Sequence, residues 1–137
     1  MACAVVVRRD AFLTAGGFQP RLFVYGEEAL LAMDLAAAGH ELSYVPHLGV
    51  RHLPHPAGRD VSARLRREVR NRVLTAALRR PPAVALRTVV AALRECPRGA
   101  AEAVPDLPWA PDHGRRLPVA VESGLTRLAV VSSSSAA

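Results

Sequence analysis

The sequence predicts an α/β fold, with a few short strands packed by helices and then a helical C-terminal extension. Three observations carry the prediction. Residues 2–7 are a continuous valine-rich apolar run, the pattern of a strand covered on both faces. Residues 27–38 place Leu30, Leu31, Leu35 and Ala38 on one helical stripe, with Gly39 at the C′ position. Residues 41–45 and 48–52 read as two short extended segments on either side of Pro46.

The remaining elements follow in order. Asp10 is a plausible N-cap for a short helix over 11–15, which Gly16-Gly17 ends. Residues 18–25 form a loop with Pro20 and aromatic side chains that fold back on the core. The His52-Leu53-Pro54-His55-Pro56 stretch is too proline-rich to stay helical. Residues 60–78 are a second helix, on which Val61, Leu65, Val69, Val73 and Ala77 recur every fourth position among arginines. Pro81-Pro82 stops it, and a third, apolar helix covers 83–94 before Pro97. Residues 100–104 add one turn, 105–117 are proline-rich and wrap the surface, and 119–128 form a last helix. The polar end, 132–137, reads as a disordered tail.

At 137 residues the prior is one domain, and a half-hydrophobic composition is enough for a core. Lysine is absent, so the formal charge of +6 is carried entirely by arginine. Arg64, Arg66, Arg67, Arg70, Arg72, Arg79 and Arg80 crowd one segment, opposed locally only by Asp60 and Glu68. Such a face suits phosphates, anionic lipid heads or nucleic acid, and nucleic acid is the least favoured because no recognised binding module accompanies the charge. Two cysteines make no disulfide framework, which points to a reducing cytoplasm. The N-terminus does not read as a signal peptide, because Arg8 and Arg9 follow the short apolar run instead of preceding it. No uncharged apolar run approaches the roughly 20 residues of a spanning helix.

The stretch richest in chemistry is Tyr25-Gly26-Glu27-Glu28, with His52 further on. Two carboxylates in the first turn of a helix can take a proton or stabilise a cation, and a histidine can bind a metal. The plain alternative is that the glutamates complement the helix dipole. His47 and His55 lie near His52, but no cysteine accompanies them and a structural zinc site needs four placed ligands.

Five pieces in register carry a family resemblance. They are Arg8-Arg9-Asp10-Ala11-Phe12, Gly16-Gly17-Phe18, Phe23-Val24-Tyr25-Gly26-Glu27-Glu28, Ala38-Gly39-His40 and Val45-Pro46 with Val50-Arg51-His52. Their order and spacing resemble the acceptor-side half of family 2 inverting glycosyltransferases of GT-A fold. Arg70-Asn71-Arg72 and Leu107-Pro108-Trp109-Ala110 resemble the C-terminal extension of bacterial members. The resemblance implies a hexosyl- or rhamnosyl-type transfer from a nucleotide-diphosphate sugar to a hydroxyl of a glycan or lipid-linked acceptor, in cell-surface glycan synthesis. A carboxylate deprotonates the hydroxyl, and a divalent metal, Mn2+ or Mg2+, neutralises the leaving diphosphate.

By position, the resemblance makes Glu28 the base, with Glu27 the second candidate and His52 a ligand of metal or diphosphate. Arg64, Arg67, Arg70 and Trp109 become contacts to the acceptor or to a membrane. Glu28 stands where the family usually has Asp, and Leu30 where it usually has a second acid. No Asp-x-Asp occurs in the chain, so the nucleotide-binding half and its metal motif are expected outside it.

The division that follows is 1–56 for the C-terminal part of the GT-A-like domain, 57–131 for a helical arginine-rich extension, and 132–137 for the tail. Alone, such a fragment is expected to be inactive and of marginal stability, because the strand at 2–7 lacks its partners. The expected location is cytoplasmic and peripheral on the inner face of the membrane. The alternative function is a non-catalytic basic module that binds a membrane surface or an acidic partner through 60–80.

Overall fold

A computed structural model describes residues 4–51, 53 and 60–134. Among the described residues seven α-helices run in chain order: α1 (Arg9–Thr14), α2 (Glu27–Ala37), α3 (Val61–Arg79), α4 (Pro82–Glu95), α5 (Pro97–Ala103), α6 (Ala110–His113) and α7 (Val119–Ser134), with a 3-10 turn at Val104–Trp109. Among the described residues there is no strand and no sheet. This corrects the α/β expectation, and with it the partial GT-A-like domain of short strands.

The physical reason lies in partners. An extended segment becomes a strand only when its N–H and C=O groups enter a ladder. Residues 4–8 and 40–44 have no regular secondary structure; they line one cleft of about 670 Å³ and share no ladder. Val5 and Val6 are exposed, so the apolar run that suggested a buried strand is not covered here.

α3 organises the rest. Asp60 caps its start, its carboxylate accepting from the Ala63 N–H at 2.9 Å. Its end is closed by the chain returning after α6. The amides of Arg115 and Leu117 donate to the carbonyls of Leu78 and Arg79 at 2.9 and 3.1 Å, satisfying groups a helix end leaves open. Pro82 then sits at the first position of α4, where its missing N–H costs nothing.

Around α3 pack α5, α4, α6 and α2. The main core joins Leu22, Leu30, Val69, Val73, Leu74 and Leu78 to small residues of α4, α5 and α6. A smaller core under α1 joins Ala11, Ala15, Leu31 and Leu35. Gly99 lets α5 approach closely, since a Cβ there would lie 2.7 Å from the Arg66 carbonyl oxygen.

The every-fourth-residue stripe read on α3 holds only for its middle. Four residues advance about 400° on a helix of 3.6 per turn, so the stripe drifts by about 40° per step. Val61 is consequently exposed, Val69 and Val73 are buried, and Leu74 and Leu78 complete the face. Proline-rich 105–117 is partly helical, not only surface wrapping, because Pro105 and Pro111 fall in first turns, while Pro108 lies inside the 3-10 turn. Residues 97–103 form two turns where one was expected, and α7 continues to Ser134, past the expected end at residue 128.

Candidate functional site

The loop before α2 is pinned from beneath. Asn71, in the middle of α3, is fully buried. Its Nδ2 donates to the carbonyls of Leu22, Val24 and Tyr25 at 2.8, 2.9 and 2.8 Å. Its Oδ1 accepts from Arg70 at 2.6 Å. The clamped backbone is strained: Phe23 and Tyr25 hold φ of 57° and 70°, left-handed values that side chains with a Cβ disfavour by about 1–2 kcal/mol each. Gly26 follows at φ 112°, which glycine alone adopts without strain. Such geometry persists only where surrounding contacts over-determine it, and Asn71 supplies those contacts.

A second brace lies alongside. Arg70 reaches Asp106 at 2.5 Å and the Arg21 carbonyl at 3.1 Å, while Arg21 reaches the other oxygen of Asp106 at 2.6 Å. Burial pushes the Asp106 carboxyl up, but the hydrogen bonds from Arg70 and Arg21 prevail and hold it below its usual range. The Arg21 guanidinium also stacks over Trp109 at 4.9 Å. The structure thus brings together Arg70 and Asn71 of α3 with Asp106 and Trp109 to fix the loop that leads into Gly26-Glu27-Glu28.

The two glutamates differ in surroundings. Glu28 turns back so that its Oε2 accepts from the Gly26 N–H at 3.0 Å, which steadies the start of α2. It lines a cleft of about 430 Å³ shared with Met33 of α2, Arg72 and Thr75 of α3, Arg80 just past its end, and Thr88 of α4. Glu27 is partly buried, and its Oε2 has no hydrogen-bond partner among the described residues. Burial pushes its carboxyl above the usual range, and the charge of Glu28 adds to this. Thr75 is buried in the cleft wall with its hydroxyl likewise unpartnered among the described residues.

The arginines of α3 do not form the open cationic face that their crowding suggests. Arg64 pairs with Glu68, Arg66 with Glu102, Arg70 with Asp106, Arg72 with Glu95, Arg79 with Asp34 and Arg80 with Glu122. Most of these carboxylates come from other elements. Arg64 also lies 5.2 Å over Tyr25. Arg67 is exposed, 6.0 Å from the Phe23 ring, with no carboxylate partner among the described residues. Trp109 packs against the main core and stacks on His113 at 4.7 Å.

Of the proposed site residues, the structure gathers Glu27, Glu28 and Arg64 around one loop and places Arg70 and Trp109 in its brace. His52 and His55 lie outside the described residues. Among the described residues no group of three or more His, Cys, Asp or Glu side chains is placed to hold a metal ion. No described helix is long and apolar enough to cross a membrane.

Sequence reasoning missed Asn71, Thr75, Asp106 and Asp34. Asp34 left a signal: it falls four residues after Leu30 on the apolar stripe of α2. It is buried there, and Arg79 grips both its oxygens at 2.6 and 2.9 Å. Asn71 left a fainter one, an uncharged amide amid arginines.

No protein-family model matches the chain, and no solved structure does. Two curated proteins match part of it, each named N-acetylglucosaminyl-diphospho-decaprenol L-rhamnosyltransferase, from Mycobacterium tuberculosis strains CDC 1551 / Oshkosh and ATCC 25618 / H37Rv. Each is 42% identical over 62 residues, or 44% of this chain and 20% of theirs. The chain therefore spans about a fifth of the length of the curated relatives it matches. That match relates part of this chain to a glycosyltransferase.

Proposed function

We propose that the chain is the acceptor side of a glycosyltransferase that transfers a sugar from a nucleotide-diphosphate donor to a lipid-linked acceptor; the mycobacterial relatives are named as rhamnosyltransferases of N-acetylglucosaminyl-diphospho-decaprenol. The observation that carries this reading is Glu28, a carboxylate at a braced helix start that opens into the α2–α3–α4 cleft. There Glu28 takes the proton of the attacking hydroxyl. Holding that hydroxyl in line requires a rigid base, and the Asn71 clamp supplies rigidity one residue upstream of Gly26. The described residues offer no ligand set for a divalent metal, so no step is assigned to one.

Titration of the isotopically labelled chain with N-acetylglucosaminyl diphosphate tests the reading by NMR. The expected result is saturable shifts confined to amides around Glu28, Met33, Thr75 and Thr88. Shifts elsewhere, or none at millimolar ligand, overturn it.

A further inference from the structure

We propose that the outer face of α4 is a membrane-contact surface for anionic lipid headgroups. α4 is the most amphipathic of the longer helices. It packs on α3 and α5, and its buried side is Ala92 with Val89. Leu86, Val90 and Leu93 lie together on the adjoining outward side, 65%, 38% and 51% exposed. At 100° per residue these three fall within about 60° of one another, so they form one stripe. No described element covers it.

Arg87 and Arg94 flank that stripe on its solvent side. Both are exposed, and neither has a carboxylate partner among the described residues. On α3, by contrast, Arg64, Arg66, Arg70, Arg72 and Arg79 are each paired with a carboxylate. Unpaired arginine is thus found beside unpaired leucine, the combination that lets a helix lie in the plane of a bilayer surface. The leucines enter the acyl boundary, while the arginine stems lie along it and keep their charge at the headgroups.

Charge selects among occupants. A second copy docking face to face would bring like arginines together, which costs binding. Duplex nucleic acid would neutralise the arginines but offer nothing apolar to cover Leu86 and Leu93. An anionic lipid surface satisfies both halves of the face.

The inference does not rest on the proposed transfer reaction, and its test reads no activity. The chain is sedimented with vesicles of phosphatidylcholine alone or mixed with phosphatidylglycerol. Binding is expected only to the anionic vesicles, and it weakens with salt. Arg87→Gln and Arg94→Gln each lower the partition coefficient about fivefold. Leu86→Ser with Leu93→Ser also lowers it, with circular dichroism unchanged. Arg67→Gln on α3 and Glu28→Gln in the cleft leave it unaltered. Absence of vesicle binding overturns the proposal, as does equal loss in Arg67→Gln. So does a leucine-dependent dimer in sedimentation velocity, or binding to duplex DNA that matches the vesicle binding and ignores the leucine substitutions.

Discussion

The side-chain amide of Asn71 donates to the carbonyl of Tyr25 across 2.8 Å, tying the centre of α3 to the residue just before Gly26-Glu27-Glu28. Two further carbonyls, of Leu22 and Val24, share the same donor. Removing it leaves buried acceptors unpaired beneath a strained loop. Asn71→Ala should therefore cost about 2–4 kcal/mol. Denaturant unfolding measures the loss, and hydrogen exchange of the 22–28 amides should accelerate more than that of α5. Unchanged stability would show that the loop holds itself.

Glu28 has a structural task as well as a proposed chemical one, and two substitutions separate them. Glu28→Gln keeps an oxygen for the Gly26 N–H and should leave the melting temperature within a degree or two. Glu28→Ala loses that bond and should cost about 1 kcal/mol. If the complete enzyme carries the transfer, Glu28→Gln should remove most of its turnover while acceptor binding persists, because an amide cannot take the proton. Full turnover in the glutamine variant would rule out Glu28 as the base.

Two carboxyls should pull stability in opposite directions with pH. Burial raises that of Glu27, with Glu28 adding to the shift. Between the ordinary glutamate value and the raised one, the folded state holds more protons than the unfolded one. Stability therefore falls as pH rises through that window, and the penalty is complete above it. Asp106 is partly buried too, but Arg70 and Arg21 lower its carboxyl, so its contribution is complete above the ordinary aspartate value and is lost as pH falls through the lowered one. Urea unfolding across the acid range is the measurement. Glu27→Gln should be more stable than the parent at neutral pH, by a margin that shrinks in acid. Asp106→Asn should be less stable at neutral pH, by a margin that also shrinks in acid. A Glu27→Gln protein that melts lower at neutral pH would contradict the account.

The Asp34–Arg79 pair is buried, with side chains 8% and 7% exposed. Removing one partner strands a charge in the core. Asp34→Ala or Arg79→Ala should cost about 3–5 kcal/mol each, while Asp34→Leu with Arg79→Met should be close to neutral. A double-mutant cycle in guanidinium reads the coupling, and additive losses would show that the two side chains act independently.

Helix positions were legible because their signals are local. Asp60 caps α3, Pro82 opens α4 and Gly39 follows α2, and each acts within a turn of its own residue. Strands were not legible in the same way. The valine run at 4–7 and the segment at 41–45 carry the right residues, but no local signal states whether a ladder partner exists. The arginines of α3 misled for a related reason. Their charged neighbours in sequence are mostly arginine, whereas their neighbours in space include Glu95, Glu102 and Asp106.

What the sequence alone determined is the longer helices, the Gly26-Glu27-Glu28 step at the head of α2 and the likeness of part of the chain to a sugar-transferring enzyme. Only the tertiary structure decided that Glu28 opens on a cleft, that Asn71 and Asp106 brace its loop, that Asp34 is paired inside, and that bare arginine lies on α4 and not on most of α3. Capping and hydropathy act over a few residues, but burial, ion pairing and strand pairing join groups tens of residues apart, and a one-dimensional pattern does not contain those distances.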